Sequence, residues 1–568
     1  MAAQGPEEAR KTHFIDPNTG FCAETKTFHS LRPKTPLPPL DEPLSITQFV
    51  FSSLNSATTT TTESPSSTAF LVDSATGKTL TYSQFIDQTY SLSLALKTRF
   101  SFSKNDVAFV LCPPSFHVPL IYFALLSIGV TVSPANPLSS KSELAHQIKL
   151  CKPKIAFATT QTAQKLPAAA IPLGTVLVDS PEFLSFLNRP NDGRVNQFLD
   201  QDVSQSDPAA ILYSSGTTGK VKGVCLTHRN VIALIAGVHH SMVESDPNQP
   251  SEPHPVLLLA LPLFHVFGFI MLIIAVSIGE TVVLLERFDF EGMLRAIERH
   301  RVTFIPVSPP IIVALVKSEL TNKYDLSSLL SIACGGAPLG KEVALRFRQK
   351  FPHVEIVQGY GLTETGGGIT RTITPEEVER NDTVGRLTGD MEAKIVDPVT
   401  GEHLPPGQRG ELWLRGPTVM KGYAGDEMAT AETLDSDGWL KTGDLCYFDS
   451  EGLLYIVDRL KELIKYKAYQ VPPAELEQLL QANPNIADAA VIPYPDEDAG
   501  QIPMAYVVRK PGSNITAAEV MDFIARQVAP YKKIRQVAFI NSIPKNPSGK
   551  ILRRELVNLS RSGSSSKL

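Results

Sequence analysis

The sequence lacks the features that would indicate a zinc-stabilised or secreted protein. Its six cysteines are scattered and include no Cys-x-x-Cys pair: Cys22, Cys112, Cys151, Cys225, Cys334 and Cys446. This spacing argues against a structural zinc site and indicates a reducing compartment. The first twenty residues contain charges and prolines but no apolar segment, so we do not expect a secretory signal.

Long hydrophobic runs and a strong charge of one sign are also missing. The most apolar stretches, residues 118–132 and 267–279, are shorter than the ~20 residues that span a bilayer and predict buried helices, with no membrane span. The net charge of −5 gives no reason to expect a nucleic-acid partner. With 568 residues, 43% of them hydrophobic and 20% charged, the chain is predicted to form several globular domains.

Apolar runs alternate with helix-sized segments as far as about residue 385. Residues 107–112, 256–260, 282–285 and 354–357 are examples of such runs. Strands separated by helices predict α/β architecture with largely parallel sheets. We therefore predict an α/β fold in which a large N-terminal domain, residues 46–457, contains two α/β sheets.

The pattern changes after residue 385. Short alternating runs bounded by glycine and proline predict a β-rich subdomain at about 385–457. A small α+β domain is expected at 458–560, with a helix at 473–481. Residues 1–45 are interpreted as an extension on the surface, residues 52–68 as a Ser/Thr-rich loop, and residues 561–568 as a tail.

The densest motif is a loop at residues 214–223, which contains four hydroxyl side chains, three glycines and two lysines. Glycine lets backbone N–H groups turn toward an anion, hydroxyls donate hydrogen bonds, and lysines supply positive charge. Apolar segments on both sides predict a strand–loop–strand clamp for a polyphosphate. The loop lacks the Gly-x-x-x-x-Gly-Lys-Ser/Thr spacing of a Walker A motif.

A second motif, Gln358-Gly359-Tyr360-Gly361-Leu362-Thr363-Glu364-Thr365, follows a predicted strand. The carboxyl ends of parallel strands are where open α/β sheets bind ligands. Tyr360 offers a flat face to a base, Thr363 can bind a phosphate oxygen, and Glu364 can bind Mg²⁺.

Three weaker features have plain structural alternatives when each is taken alone. Asp444, after a tight turn, could bind ribose hydroxyls or simply cap the turn. Lys461, Lys465 and Lys467 could form a solvated strand face, and Lys550 in Pro-Ser-Gly-Lys could be a surface lysine.

Five motifs occur in one order: Ser-Ser-Gly-Thr-Thr-Gly, Tyr-Gly-Leu-Thr-Glu, Thr-Gly-Asp, Asp-Arg-Leu-Lys-Glu and Pro-Ser-Gly-Lys. Together they make the chain resemble the adenylate-forming superfamily over about residues 40–560. Within it, the resemblance is to plant acyl-CoA ligases similar to 4-coumarate:CoA ligase and to the peroxisomal branch around it. Firefly luciferase is a related member.

The resemblance implies a role for each matched residue. The ATP and AMP site would contain Ser214, Ser215, Gly216, Thr217, Thr218, Gly219, Lys222, Gly336, Gln358, Gly359, Tyr360, Thr363, Asp444, Arg459, Lys461, Lys465 and Lys550. The acyl pocket would contain His265, Phe267, Met271, Gly335, Gly336, Gln358, Gly359 and Gly366. Coenzyme A would contact Arg287, Lys467 and Ala468, and Glu364 would bind the metal.

The resemblance also implies a two-step reaction with ATP, Mg²⁺ and coenzyme A. Lys550 would serve acyl-adenylate formation, His265 would gate the carboxylate pocket, and Lys465 and Gln470 would contact the adenylate. The small domain would be mobile and would rotate about Asp458 between the steps, so that Lys550 leaves and the Lys465–Gln470 face arrives.

The chain departs from 4-coumarate ligases at several positions. Leu412-Trp413-Leu414 replaces a typical Ile-Cys-Ile, which favours the 4-coumarate ligase-like branch. The segment after His265 offers no polar group for a phenol hydroxyl, so we expect an apolar acid of fatty, oxylipin or unhydroxylated cinnamate type. Ala468 stands where relatives usually have glycine. A luciferase-like adenylating oxidase and a non-catalytic nucleotide-binding homologue stay open as alternatives.

The last three residues, Ser566-Lys567-Leu568, match the peroxisomal address. They follow a polar segment that would be accessible to the peroxisomal import receptor. The sequence therefore predicts a peroxisomal protein whose other partners are a carboxylic acid, ATP and coenzyme A.

Overall fold

The structure is a computed structural model that describes residues 13–58, 68–102, 104–188, 203–214, 221–243, 254–467, 469–546 and 549–562. Five predicted phosphate-loop residues, Ser215, Gly216, Thr217, Thr218 and Gly219, lie outside this set. So do Ala468 and the terminal Ser566-Lys567-Leu568.

The strands in chain order are β1 (Phe21–Cys22), β2 (Thr27–His29), β3 (Ala69–Asp73), β4 (Thr79–Thr81), β5 (Val107–Leu111), β6 (Thr131–Pro134), β7 (Ile155–Ala158), β8 (Thr175–Leu177), β9 (Pro208–Ser214), β10 (Lys222–Thr227), β11 (Val256–Leu259), β12 (Thr281–Leu284), β13 (Phe304–Val307), β14 (Ser331–Cys334), β15 (Glu355–Leu362), β16 (Gly367–Arg371), β17 (Arg386–Leu387), β18 (Glu392–Val396), β19 (Gly410–Arg415), β20 (Gly422–Tyr423), β21 (Leu440–Phe448), β22 (Leu454–Arg459), β23 (Ile464–Tyr466), β24 (Tyr469–Val471), β25 (Ile486–Asp496), β26 (Gly500–Arg509) and β27 (Gln536–Phe539).

The α-helices in chain order are α1 (Ile46–Thr58), α2 (Tyr82–Phe100), α3 (His117–Ser127), α4 (Lys141–Cys151), α5 (Thr160–Ala163), α6 (Pro181–Leu187), α7 (His228–Val243), α8 (Val266–Ile278), α9 (Phe290–His300), α10 (Pro309–Lys317), α11 (Lys341–Lys350), α12 (Pro375–Glu379), α13 (Glu427–Thr433), α14 (Pro473–Ala482), α15 (Ala517–Ala525) and α16 (Arg553–Ser562).

Two large sheets form the centre of the N-terminal domain. One has seven strands in the order β20-β10-β9-β6-β5-β7-β8, and the other has nine in the order β17-β16-β15-β14-β13-β11-β12-β3-β4. Their central strands are parallel, as the alternating pattern predicts. A single buried cluster joins side chains from both sheets with those of α3 and α8, so the two apolar segments predicted as helices lie in the core.

The β-rich part is an antiparallel six-stranded sheet in the order β1-β2-β18-β19-β21-β22. Two of its strands come from the N-terminal segment, which the sequence interpretation placed on the surface. Phe28 is buried there and stacks on Phe448, with 4.3 Å between the ring centroids. The subdomain therefore includes residues 21–29 as well as residues after 385. The predicted loop at 52–68 also needs correction, because its first residues continue α1 to Thr58.

The C-terminal domain has its own five-stranded sheet, in which β24, β23, β26 and β25 follow one another and β27 pairs with β26. Its predicted helix is α14, which begins at Pro473 and packs on β25 through Leu476 and Leu480. Proline suits the first turn of a helix because its missing N–H would be unpaired there. The fold class is the expected one: a large α/β N-terminal domain and a small α+β domain.

Among the described helices, none combines the length and the apolar character needed to cross a bilayer. All six cysteines are free thiols; Cys225 is partly exposed and the other five are buried.

Candidate active site

The main cavity has a volume of about 1440 Å³ and lies where the N-terminal domain meets the loop that carries Lys550. Its walls include the ends of β9 and β14, the start of α8, and the turn after β15. A smaller adjoining cavity of about 700 Å³ lies between the two domains. The carboxyl ends of β14 and β15 open into this region, as the open-sheet rule predicts.

Tyr360, Asp444 and Arg459 form a connected group at the cavity. The Tyr360 hydroxyl donates to Asp444 Oδ2 at 2.6 Å, and Arg459 Nε lies 3.2 Å from Asp444 Oδ1. Asp444 and Arg459 face each other in the antiparallel register of β21 and β22. Burial raises the pKa of Asp444, and the charge of Arg459 opposes this. The carboxylate is thus held in place beside an aromatic ring, which is suitable for binding a nucleoside.

Glu364 and Thr363 lie on the short turn that follows β15, and both line the cavity. Glu364 Oε1 accepts hydrogen bonds from Ser214 at 3.1 Å and from the Tyr423 hydroxyl at 3.0 Å. The Lys222 ammonium lies 4.3 Å from the centre of the Tyr423 ring. Ser214 and Lys222 are opposite each other on β9 and β10, so the ends of the predicted phosphate loop lie directly beside the carboxylate.

These oxygens fit a magnesium ion that reaches the protein together with phosphate. Mg²⁺ usually keeps several waters and takes only one or two protein carboxylates plus substrate phosphates. Glu364 supplies such a carboxylate. Within the described residues, no group of three or more His, Cys, Asp or Glu side chains is arranged to hold a metal without a substrate.

Lys550 lines the cavity from the C-terminal domain. Burial lowers the pKa of Lys550 to about 8, with Arg459 as the next cause. Its backbone N–H donates to Asn546 Oδ1 at 2.8 Å, and its carbonyl accepts the Asn546 N–H at 2.9 Å. Gly549 approaches the N-terminal domain so closely that an added Cβ would lie 2.6 Å from Ser308 Oγ, and its φ is +83°. Glycine is needed there to bring the lysine in.

The predicted acyl-pocket residues divide into three groups. His265, Phe267, Met271, Gly335, Gly336 and Gly359 line the main cavity. Gln358 lines the smaller one, and its side chain donates to the carbonyl of Asn381. Gly366 lines neither cavity: it forms a left-handed turn with φ +67°, where a Cβ would lie 3.1 Å from Leu234. Gly367 and Gly368 line the main cavity in its place.

His265 is the residue before α8, and its Nδ1 accepts the Phe267 N–H at 3.3 Å. Burial, followed by the charge of Lys550, lowers the pKa of His265 to about 4. The imidazole is therefore neutral at physiological pH and carries no charge into the pocket.

The residues predicted for the thioester step lie away from the cavity. Lys465 and Gln470 are exposed partners on β23 and β24. Lys467 is exposed with φ +52°, and Arg287 lies on the exposed loop after β12. Neither cavity is lined by any of these four residues or by Lys461. The structure therefore brings Lys550 to the same cavity as Arg459 and Glu364 and leaves the face with Lys465 and Gln470 outside it.

Asp458, the predicted hinge, lies at the junction of the two domains. Its carboxylate accepts the N–H of Arg459 at 2.7 Å and that of Ala474, in the first turn of α14, at 2.9 Å. Burial raises the pKa of Asp458 to about 6.

Several lining residues carry no sequence motif. Ser241, Glu280 and Arg371 line the main cavity; Arg371 lies six residues after the second motif, and Ser241 and Glu280 lie farther from any motif. Only the tertiary structure brings them there.

Comparison with known proteins adds independent evidence. The family model described as AMP-binding enzyme matches residues 58–424, and the one for the C-terminal domain of AMP-binding enzymes matches residues 475–550. "4-coumarate--CoA ligase-like 9" of Arabidopsis thaliana is 60% identical, with 98% of this chain and 99% of that protein covered. "Peroxisomal OPC-8:0-CoA ligase 1" from the same plant is 44% identical over 97% of this chain and 99% of that protein.

Comparison with solved structures also finds enzymes with a similar fold. ATP-bound MatB from Rhodopseudomonas palustris matches with a TM-score of 0.77 at 25% identity, covering 91% of this chain and 99% of that one. The Bacillus subtilis o-succinylbenzoate CoA synthetase in complex with its acyl-adenylate intermediate matches with a TM-score of 0.72 at 28% identity, covering 89% and 97%. The chain belongs to the AMP-binding enzyme family of the adenylate-forming superfamily and is a ligase of its plant 4-coumarate:CoA ligase-like group.

Proposed function

We propose that this enzyme activates a largely apolar carboxylic acid of fatty, oxylipin or cinnamate type and transfers the acyl group to coenzyme A. The observation that carries the proposal is the position of Lys550, which shares one cavity with Arg459 and Glu364. Positive charge, a magnesium-binding carboxylate and a nucleoside site are the groups that adenylate formation requires.

In the first step, a carboxylate oxygen attacks the α-phosphorus of ATP. The P–O bond to the β-phosphate breaks, and the products are an acyl-adenylate and pyrophosphate. Lys550 and Lys222 stabilise the charge that moves onto the phosphate oxygens. Tyr360 and Asp444 hold the nucleoside, and His265 borders the acid as a neutral group. Magnesium, held by Glu364 and the phosphates, would neutralise further charge.

In the second step, the thiol of coenzyme A loses its proton and attacks the acyl carbon, and AMP leaves. We assign this step to the face with Lys465 and Gln470, which rotation about Asp458 would bring to the cavity. Arg287, Lys467 and Ala468 are the proposed contacts of coenzyme A. The relatives named as CoA ligases support this assignment.

The test is a pair of assays on the wild-type enzyme with a panel of acids. Acid-dependent exchange of labelled pyrophosphate into ATP reports adenylate formation, and mass spectrometry reports the thioester. We expect both activities with the same acids. Adenylate formation with oxygen uptake and no thioester would instead favour a luciferase-like oxidase. No exchange with any acid would contradict the proposal.

We also propose that the enzyme acts in the peroxisome, because the chain ends in Ser566-Lys567-Leu568 and a 44% identical relative is named as peroxisomal. Deletion of these three residues should move an N-terminally tagged protein to the cytosol and leave its activity intact. Continued import of the truncated protein would show that another signal dominates.

A further inference from the structure

Tyr423 contacts two groups that the proposed reaction needs, although no sequence motif singled it out. Its hydroxyl donates to Glu364 Oε1 at 3.0 Å, and the Lys222 ammonium lies over its ring, 4.3 Å from the ring centre. All three residues line the main cavity, and Tyr423 is only 8% exposed. One buried side chain therefore contacts both a carboxylate and an ammonium, which have opposite charges.

Main-chain hydrogen bonds place Tyr423 beside both groups. The N–H of Met420 donates to the carbonyl of Glu364 at 2.8 Å, so the segment that leads into β20 is bonded to the turn after β15. Tyr423 lies on β20 and pairs with Val224 of β10, two residues after Lys222. Alternate residues of a strand face the same side, and paired residues share a face. The ring of Tyr423 and the side chain of Lys222 therefore lie on one face of this pair of strands.

Lys222 and Glu364 do not pair with each other. Within the described part of the chain, neither takes part in an ion pair. Opposite charges in a partly buried site attract more strongly than they do in water. The face of the ring gives the ammonium another partner, and the hydroxyl gives one to the carboxylate. Tyr423 thus stabilises both groups without neutralising either charge.

The remaining hydrogen-bonding capacity of these groups suits magnesium-bound ATP. Ser214 and Tyr423 both donate to Oε1 of Glu364, and its other oxygen has no hydrogen-bond partner among the described residues. Hydrogen bonds of this kind fix a metal-binding carboxylate in place, and the second oxygen stays available to the metal. The Lys222 ammonium lies against a ring face, so its N–H donors stay available to phosphate oxygens.

We propose that Tyr423 is a positioning residue that holds Glu364 by its hydroxyl and Lys222 by its ring, and so keeps the two charges apart and available for magnesium-bound ATP. Without the tyrosine, the ammonium would turn to the carboxylate, and the resulting ion pair would weaken the binding of both metal and phosphates. This inference rests on the proposed function and deepens it at the same site.

The experiment measures binding by the full chain, without turnover. Isothermal titration calorimetry gives the Kd of α,β-methylene-ATP, which does not release pyrophosphate, once with excess Mg²⁺ and once with EDTA. The ratio of the Kd in EDTA to the Kd in Mg²⁺ is the magnesium effect. We expect magnesium to tighten binding to the wild-type enzyme.

Tyr423→Phe removes the hydroxyl and keeps the ring. The magnesium effect should fall about tenfold, the lower end for such a loss, because Ser214 still donates to the same oxygen. The Kd in EDTA should stay within about twofold, since Lys222 keeps its ring. Tyr455→Phe is the matched control: its hydroxyl donates to Asp449 Oδ2 at 3.2 Å, and neither residue lines a cavity. It should change neither Kd.

Tyr423→Leu removes the ring as well as the hydroxyl. The Kd in EDTA should rise roughly three- to tenfold above that of Tyr423→Phe, because Lys222 loses its ring and pairs with Glu364. Tyr423→pentafluorophenylalanine keeps the size of the ring but removes the negative charge of its face. It should raise the Kd in EDTA in the same direction, and it serves if the leucine variant does not fold.

An unchanged magnesium effect in Tyr423→Phe would overturn the inference, and so would an equal weakening with and without magnesium, which indicates a merely structural role. A Kd in EDTA that is the same in Tyr423→Leu as in Tyr423→Phe would overturn the role of the ring. Failure of the proposed function would look different, because the wild-type enzyme would then bind the analogue without supporting acid-dependent pyrophosphate exchange.

Discussion

Lys550 and Lys465 lie in the same small domain, but their surroundings are opposite. Lys550 lies in the main cavity, and burial lowers its pKa to about 8. Lys465 is exposed on β23, which lies between β24 and β26 in the domain sheet, and its backbone N–H donates to Gln501 Oε1 at 2.8 Å. This difference indicates that one orientation of the small domain can bring only one of its two faces to the cavity, either the face with Lys550 or the face with Lys465 and Gln470.

Contacts between the two domains hold the small domain in the orientation seen here. Lys317 of α10 donates to the carbonyls of Gln481 at 3.1 Å and Ile486 at 2.5 Å, both in the C-terminal domain. Burial lowers the pKa of Lys317 to about 8. Together with the close approach of Gly549 to Ser308, these bonds join the two domains in the arrangement that brings Lys550 to the proposed nucleotide-binding residues.

The largest effect is expected from Lys550→Ala. Groups that stabilise developing charge contribute about 3–4 kcal/mol, so acid-dependent pyrophosphate exchange should fall by roughly 10²–10³. The measurement is the exchange rate at saturating ATP and acid. Lys545→Ala is a suitable control, because Lys545 lies on the same loop but pairs with Asp488. A loss below tenfold in Lys550→Ala would argue against its role.

A pH profile should sharpen the contrast between buried and exposed lysine. With a pKa of about 8, Lys550 is protonated below that pH and loses its charge above it. The value of kcat/KM for ATP should therefore decline as pH rises through about 8, since this quantity reports the free enzyme. Arg stays protonated, so Lys550→Arg should move the decline to higher pH. An unchanged profile in this variant would assign the decline to another group.

A smaller effect is expected from Lys317→Met. The variant leaves two carbonyls without their donor and weakens the observed orientation, so pyrophosphate exchange should fall by two- to fivefold. Thioester formation from a supplied acyl-adenylate should not fall, because we propose that this step uses the face with Lys465 and Gln470. Lys323→Met, at an exposed position on the adjoining turn, should change neither rate. Equal losses in both steps would indicate a general structural role for Lys317.

The smallest effect is expected from Ala468→Gly. Relatives usually have glycine at this position, which the resemblance places beside the pantetheine tunnel. Removal of one methyl group should lower the KM for coenzyme A modestly and leave pyrophosphate exchange unchanged. A slower thioester step would show that the methyl group does not narrow the tunnel.

Two local motifs predicted part of the candidate site because each follows a single strand. The phosphate loop begins where β9 ends, and Tyr360, Thr363 and Glu364 lie at the carboxyl end of β15. The resemblance assigned Asp444 and Arg459 to the same site but did not predict their pairing, because strand register is not visible in either segment alone. Gly366 was misplaced for a similar reason: neighbouring glycines are equivalent in sequence, and only the backbone turn determines which of them face the cavity.

Features without local patterns could not be predicted. Strands β1 and β2 have two and three residues, too few to show an alternating pattern. Arg371 and Ser241 are separated by 130 positions, and no motif links them. Their proximity depends on the tertiary packing that brings the end of α7 next to the end of β16.

The account assigns adenylate formation to the face of the small domain with Lys550 and thioester formation to the face with Lys465. The most direct test is to measure both half-reactions in Lys550→Ala and in Lys465→Ala. Each variant is assayed for pyrophosphate exchange and, separately, for thioester formation from a supplied acyl-adenylate. The account predicts that Lys550→Ala loses the first activity and keeps the second, while Lys465→Ala shows the reverse pattern. Equal losses of both activities in each variant would contradict it.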